Sequence, residues 1–80
     1  WPVKGSEDDR YRLSFENAEV WGPVVAVRWK DETTRLRMAS AQWSVVLELS
    51  EGEGMLDVWF EDLAGITVSR DFDVVVERIR

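Results

Sequence analysis

The sequence predicts an all-β domain, an antiparallel sandwich of about seven strands, on three observations. Apolar and polar residues alternate along most of the chain, and a period of two is the period of a strand. Segments rich in Gly, Pro, Asp and Ser interrupt this alternation at the short spacing that is typical of sandwiches and small barrels. With 80 residues, 45% of them hydrophobic, the chain has the size and composition of a single folded domain, which we expect to span 1–80.

The alternating segments, taken in order, predict the strands and the side chains that face the core. The segments lie at 11–16, 24–29, 35–38, 43–49, 55–61 and 66–77. One face of each collects the large apolar residues, which are Tyr11, Leu13, Phe15, Val25, Val27, Trp29, Leu36, Met38, Trp43, Val45, Leu47, Leu49, Leu56, Val58, Phe60, Ile66, Val68, Phe72, Val74 and Val76. A helix over 32–42 is the other interpretation of the third segment, but its Thr and Ser residues are weak helix formers, so we expect strand there.

Four short segments predict the reversals of the chain. Gly22 and Pro23 join a residue of free backbone dihedrals to one whose φ is fixed. The segment 30–34 is typical of a polar hairpin loop, and 50–54 places two glycines where the chain must turn. The segment 62–65 ends on Gly at a tight corner.

Charge and missing residue types exclude several classes of function. The chain carries 10 Lys and Arg against 16 Asp and Glu, and the net charge of −6 argues against nucleic acid as a partner. It contains no Cys and no His, which excludes zinc sites built from them, cysteine nucleophiles, His-based triads and disulfides. Tyr11 and the serines have no His to activate them, so we expect no enzyme and no resident cofactor.

The ends of the chain suggest a piece of a larger protein. It opens on Trp1, without an initiator Met, and stops on Arg80, so we expect a domain excised from a longer multidomain chain. Residues 1–10 are expected to form a charged lead-in, mobile or half-ordered. The longest apolar run, 24–27, is too short to span a bilayer, and we expect no membrane insertion.

A recognisable pattern runs through the second half of the chain. It is W-S-x-x-L-x-L-x-x-G at 43–52, followed by L-x-V-x-F-x-D-x-A-G at 56–65. Over roughly residues 43–77 it resembles bacterial immunoglobulin-like domains, although Ile66 stands where that family has Asn. The resemblance implies an immunoglobulin-like sandwich that is carried as a module of secreted, cell-surface or phage structural proteins, and therefore an extracellular or surface location.

The same resemblance suits particular residues. Trp43 can enter the core at the start of a strand, and Gly52 or Gly54 can turn the following hairpin. Asp62 can bond back to the amides of the corner, and Gly65 can take the left-handed conformation there.

Five Trp residues in 80 is a high count, because aromatic side chains fill small cores but also stack on sugar rings. Trp29 and Trp43 are in phase with core residues. Trp59 instead shares a face with Asp57 and Glu61, so we expect an outward ring between two carboxylates. These three residues, with Trp21 in a predicted loop, are the candidate ligand contacts. The alternative is that the Trp59 ring covers the stem of a neighbouring Arg, such as Arg35 or Arg37, as a cross-strand contact.

Charged residues suggest two further features. The predicted turns contain the weak calcium candidates, which are Asp31, Glu32, Asp62 and Asp71. No EF-hand spacing is present, and a solvated acidic surface is the preferred interpretation. The cations Arg28, Lys30, Arg35 and Arg37 are expected on one outward face. If the strands are neighbours, Asp57 and Glu61 lie across from them and form cross-strand ion pairs.

These observations favour a non-catalytic spacer, adhesion or protein-interaction module whose partners are neighbouring domains of the parent chain and a polysaccharide or protein ligand. One alternative is a carbohydrate-binding module attached to a glycan-active enzyme, with Trp59 as its stacking platform. The other is a subunit that assembles through its strand edges. Val74, Val75 and Val76 make that strand apolar on both faces, and it can pair with another chain if it lies at a sheet edge.

Overall fold

The computed structural model describes residues 1–6, 9–18, 21–39 and 42–79, and in these ranges the chain is all-β and antiparallel. The strands are β1 (Pro2–Gly5), β2 (Arg10–Glu16), β3 (Val24–Trp29), β4 (Glu32–Arg37), β5 (Ser44–Glu48), β6 (Gly52–Met55), β7 (Asp57–Glu61), β8 (Thr67–Ser69) and β9 (Asp73–Ile79). These nine strands exceed the seven predicted. The described ranges hold no helix long and apolar enough to cross a membrane.

The strands form two sheets and a two-stranded ribbon. One sheet has the order β4-β3-β7-β8, the other has the order β5-β2-β9, and β1 pairs with β6 in the ribbon. Every pairing is antiparallel. The four-stranded sheet therefore consists of the β3–β4 and β7–β8 hairpins side by side.

One core lies between the inner faces of the two sheets. From the three-stranded sheet, β2 contributes Tyr11, Leu13 and Phe15, all buried as predicted. From the four-stranded sheet, β3 and β7 contribute the buried residues Val25, Val27, Trp29, Val58 and Phe60. The rings of Phe15 and Phe60 meet edge to face with their centroids 5.4 Å apart, which joins the two layers.

Three members of the predicted core are on the surface instead, of which Trp43 is described with the candidate site. Ile66 and Val68 are exposed because 66–77 is not one strand. The chain leaves the four-stranded sheet after Ser69 and enters the three-stranded sheet at Asp73. Only the second part keeps the predicted inward side chains, with Phe72 and Val74 buried.

The β3–β4 hairpin is tighter than the predicted loop at 30–34. Lys30 and Asp31 alone connect the strands, with φ of 48° and 66°. Positive φ at both central residues is the requirement of the two-residue turn that matches strand twist. The sequence does not indicate this turn, because neither central position is Gly or Asn. The predicted loop is also too long, since Glu32 to Thr34 already belong to β4.

The start of the chain is ordered where a lead-in was predicted. Pro2 to Gly5 pair with Gly52 to Met55, and the Leu56 amide donates to the Trp1 carbonyl at 2.7 Å. The Trp1 ring stacks on Phe72 with centroids 6.4 Å apart. Asp9 is buried and forms an ion pair with Arg78 at 3.2 Å, while Glu7 and Asp8 lie outside the described residues.

Candidate functional site

An open, mainly apolar pocket lies at one end of the four-stranded sheet. Val24 begins β3 and lies opposite both Arg37 at the end of β4 and Glu61 at the end of β7. The chain segments just beyond these three residues therefore meet. A pocket of about 440 Å³ opens among them, and the described residues that line it are Trp21, Gly22, Pro23, Met38, Ala39, Gln42 and Trp43. We call it the tryptophan pocket.

Two Trp side chains with different roles form the tryptophan pocket. Trp21 is half-buried and fixed to the core, with its ring centroid 5.1 Å from that of Phe60 and 6.3 Å from that of Phe15. Trp43 meets Trp21 edge to face, 5.2 Å away at 82°. The prediction that Trp43 lies in the core is wrong, because 64% of it is exposed.

The position of Trp43 explains the error. It immediately precedes β5 and continues the β2–β5 pairing opposite Phe15, at the end of the sheet, where its ring contacts Trp21. Its carbonyl accepts a hydrogen bond from the Phe15 amide at 3.0 Å, which holds its backbone against the end of β2. Its ring is thus carried by a fixed backbone and still faces solvent.

Hydrogen bonds of the backbone and of the Gln42 side chain hold the rest of the pocket wall. The Met38 amide donates to the Pro23 carbonyl at 2.8 Å, which extends the β3–β4 pairing by one step. The Gln42 side chain accepts from the Ala39 amide at 2.8 Å and donates to the Ser44 carbonyl at 2.7 Å. Both ends of that amide are therefore engaged within the wall.

Gly22 is required by the same packing. A Cβ at this position would lie 2.6 Å from the Glu61 carbonyl oxygen and 3.1 Å from the Phe60 Cβ. Only a residue without a side chain lets the Trp21 segment approach the end of β7 so closely. That approach places the Trp21 ring on Phe60 and so shapes the floor of the pocket.

The pocket can bury an apolar or aromatic group but offers little for acid–base chemistry. None of its described lining residues carries an ionisable side chain, and its one side-chain amide is already bonded. The sequence predicts Trp21 as a candidate ligand contact but does not mark Met38 or Gln42 as pocket residues. No motif marks them, and only the strand register shows that their segment meets Pro23.

A rigid corner follows β7, whose last residue lies opposite the first residue of β3 beside the pocket. One Asp62 carboxylate oxygen accepts hydrogen bonds from the Ala64 and Ile66 amides, each at 2.9 Å, and Gly65 has φ of +84°. Both features confirm the roles predicted for Asp62 and Gly65. The corner exposes two large apolar side chains, Leu63 at 69% and Ile66 at 65%.

The candidate contact Trp59 lies on the outer face of the four-stranded sheet, opposite the core, but it is not open to solvent. Only 8% of it is exposed. The Arg70 guanidinium carbon lies 4.6 Å from its ring centroid, and its indole N–H donates to a Glu61 oxygen at 2.8 Å. The expectation of an exposed ring is wrong. The ring contacts an Arg cation, as the alternative predicted, but the residue is Arg70 and not Arg35 or Arg37.

Glu61 is the second candidate contact and is only 3% exposed. The Arg35 Nε donates to it at 2.8 Å, which confirms the predicted cross-strand ion pair. The pKa of Glu61 is held below its ordinary value, first by the hydrogen bond from Arg35 and then by that from Trp59, against the opposite effect of burial. The same bond raises the pKa of Arg35.

Asp57, the third candidate on this face, pairs with Arg70 at 3.3 Å. Asp57 and Asp31 also line a shallow pocket of about 360 Å³ together with Arg28 and Lys30. Arg28 forms an ion pair with Asp31 at 3.4 Å. Two cations and two carboxylates thus neutralise each other there.

The calcium candidates lie in three separate connections. Asp31 and Glu32 are at the β3–β4 turn, Asp62 caps the corner after β7, and Asp71 lies between β8 and β9. Within the described ranges, no three acidic side chains come close enough to hold a metal ion. One of the two Asp62 carboxylate oxygens already accepts hydrogen bonds from two backbone amides.

Comparison with known proteins adds no identification. No family model, no curated protein and no solved structure matches this chain.

Proposed function

We propose that this chain is a non-catalytic, immunoglobulin-like interaction module of a larger secreted or surface protein, and that it binds a protein partner at the tryptophan pocket. The observation that carries the proposal is Trp43, a large aromatic ring that is 64% exposed on a hydrogen-bonded backbone beside an open apolar pocket. Aromatic anchors of this kind dominate the binding energy of protein interfaces.

The surroundings of Trp43 favour a protein over a sugar. Sugar recognition needs polar groups beside the stacking ring that can bond hydroxyls, and among the described lining residues the one side-chain amide, that of Gln42, already uses its oxygen and one N–H within the wall. The corner after β7 exposes two more apolar side chains, Leu63 and Ile66. Rigid apolar surface of this type suits side chains of a folded partner or a peptide.

The strand order of the four-stranded sheet supports an immunoglobulin-like fold, whereas the position of the last strand differs from that fold. The order β4-β3-β7-β8 corresponds to the C′-C-F-G order of immunoglobulin sheets. The last strand differs, since β9 pairs with β2 in the three-stranded sheet, whereas the last immunoglobulin strand lies in the sheet of strands C and F. The secreted or surface location follows from the resemblance at 43–65.

A carbohydrate-binding module is the second candidate. The platform expected for it, Trp59, is covered by Arg70, so an exposed ring for stacking has to be Trp43. This candidate predicts saturable binding of soluble oligosaccharides, and the protein-binding proposal predicts none.

The test selects ligands without assuming one. A random peptide library is selected on the wild-type domain and counter-selected on Trp43→Ala, and the selected peptides are titrated by nuclear magnetic resonance beside an oligosaccharide panel. We expect peptides with an apolar or aromatic anchor that shift the Gln42 and Trp43 signals and lose affinity for Trp43→Ala. Val46→Ala, an exposed apolar change on β5, should leave binding intact. Peptides that bind both proteins equally, or binding of sugars alone, would contradict the proposal.

A further inference from the structure

The strand with the Val run lies at a sheet edge. In the order β5-β2-β9, β9 has β2 on one side, and no described strand pairs with its other side. All seven residues of β9 pair with β2 in one unbroken register, from Asp73 opposite Glu16 to Ile79 opposite Arg10. A regular edge of this length presents a row of backbone donors and acceptors to another strand.

Both edges of the four-stranded sheet carry features that discourage pairing. β4 contains Glu32, Arg35 and Arg37 among its six residues. β8 has three residues and a register irregularity at its junction with β7. Charge, shortness and bulges are the usual protections of an edge. The centre of β9, with Val74, Val75 and Val76, has none of them.

We propose that β9 pairs antiparallel with β9 of a second copy of this chain, centred on Val76. In this arrangement two three-stranded sheets join into one of six, with the order β5-β2-β9-β9-β2-β5. A two-fold axis perpendicular to the sheet keeps the core faces of both copies on the same side. The inference does not rest on the tryptophan pocket.

The charges of β9 select this register. Centred on Val76, the opposed pairs are Asp73 with Ile79, Val74 with Arg78, Val75 with Glu77, and Val76 with itself, as the spacing in the sequence requires. No two like charges are opposed. Centring on Val75 opposes Asp73 to Glu77, and centring on Glu77 opposes that residue to itself, both of which are unfavourable.

One-residue shifts are excluded on other grounds. Within β9, Val74 is buried toward the core, whereas Val75 is 46% exposed on the outer face. A shift by one residue would place the core face of one copy against the solvent face of the other. Among the registers that pair five or more residues of β9, the one centred on Val76 is therefore the one compatible with both packing and charge.

The test uses opposite charges at one position. In the proposed register Val75 faces Glu77 of the second copy twice, once on each side of the axis. Val75→Lys therefore adds two opposite-charge pairs and should tighten the dimer by about 2- to 30-fold, and Val75→Glu should weaken it by a similar factor. Dissociation constants are measured by sedimentation velocity from micromolar to millimolar concentration.

Val46 on β5 gives a matched control, since it is 45% exposed on the outer face of the same sheet. Val46→Lys and Val46→Glu make the same changes in net charge and should leave the dissociation constant unchanged. Circular dichroism confirms that each variant is folded. Trp43→Ala should also leave the dimer intact, so failure of the pocket proposal and failure of this one are distinguishable.

Several outcomes would overturn the proposal. A wild-type chain that stays monomeric at millimolar concentration removes it. If both Val75 variants weaken the dimer, then Val75 faces itself and the proposed register is wrong. If the Val75 variants behave like the Val46 variants, or Trp43→Ala dissociates the dimer, another surface holds the two copies together.

Discussion

Arg35 reaches over Ala26 to form an ion pair with Glu61, two strands away, with Nε 2.8 Å from the carboxylate oxygen. In the sheet, Arg35 lies opposite Ala26 on β3, and Glu61 lies opposite Val24, the next residue on the same face. The pair is therefore diagonal and spans three strands. The small, fully buried Ala26 leaves the space through which the Arg35 side chain crosses.

The Glu61 ion pair predicts a loss of stability in acid. The pKa of Glu61 in the folded protein is below the ordinary value of 4.5, so the carboxylate stabilises the fold above that pH. This contribution is lost as the pH falls below 4.5 and through the folded pKa. In that range the unfolded chain, whose Glu61 has the higher pKa, binds a proton more readily than the folded protein, and this proton uptake favours unfolding. Carbon-detected titration of the Glu61 carboxyl measures its midpoint directly.

Glu61→Gln is the matching variant. It keeps the shape of the side chain but removes the charge, so it should be less stable than wild type at neutral pH. The difference in free energy of unfolding should shrink as the pH falls below 4.5. A difference that stays constant from pH 7 to about pH 2 would show that the charge of Glu61 contributes nothing to stability.

Gly22 and Gly65 predict contrasting responses to substitution. Gly22→Ala places a Cβ against the Glu61 carbonyl and should cost roughly 1–3 kcal/mol, because backbone atoms must move. Gly65→Ala meets no atom within 4 Å but is strained at φ +84°, and should cost about 1–2 kcal/mol.

Substitution by Asn distinguishes steric overlap, expected at Gly22, from backbone strain, expected at Gly65. Asn tolerates the left-handed conformation, so Gly65→Asn should be milder than Gly65→Ala. It is larger than Ala, so Gly22→Asn should be at least as damaging as Gly22→Ala. Chemical denaturation of the four variants gives the comparison, and equal effects of Ala and Asn at Gly65 would argue against backbone strain there.

The corner after β7 predicts a selective effect of Asp62. Asp62→Ala removes the acceptor of two backbone hydrogen bonds and should cost about 1–3 kcal/mol. Amide exchange at Ala64 and Ile66 should accelerate by more than global unfolding explains. Asp62→Asn keeps one side-chain oxygen and should restore most of the protection. If Asn protects no better than Ala, the carboxylate charge rather than the acceptor geometry holds the corner.

Alternation in the sequence predicted the regular strands because a half-buried sheet imposes a period of two. Tyr11, Leu13 and Phe15 illustrate this, since each points into the core as its spacing requires. The pattern fails at the end of a strand or where the chain changes sheet. Trp43 precedes β5 and is exposed, and Ile66 belongs to the corner before β8 rather than to the strand that contains Phe72.

Short strands without apolar alternation were hidden for a different reason. β6 consists of Gly52, Glu53, Gly54 and Met55, a composition typical of a turn, and it becomes a strand only because β1 pairs with it. The candidate site was hidden in the same way. Trp21 and Trp43 were visible in the sequence, but their contact depends on tertiary packing at the end of the sheet.

The two Trp residues of the pocket are expected to differ in what they contribute: Trp21 mainly to the stability of the fold, and Trp43 mainly to peptide binding. Trp21→Ala should cost about 3 kcal/mol, because that ring packs on Phe60 and Phe15. Trp43→Ala loses mainly the edge-to-face contact with Trp21 and should cost only about 0.5–1.5 kcal/mol, because the ring is largely exposed. Trp43→Ala should nevertheless abolish peptide binding, whereas Trp43→Phe keeps a ring and should retain part of both properties. Urea denaturation and peptide titration on the same samples measure the two effects. A loss of stability at Trp43 as large as that at Trp21 would mean that Trp43 acts as part of the core, and its exposed ring would then no longer support a binding role.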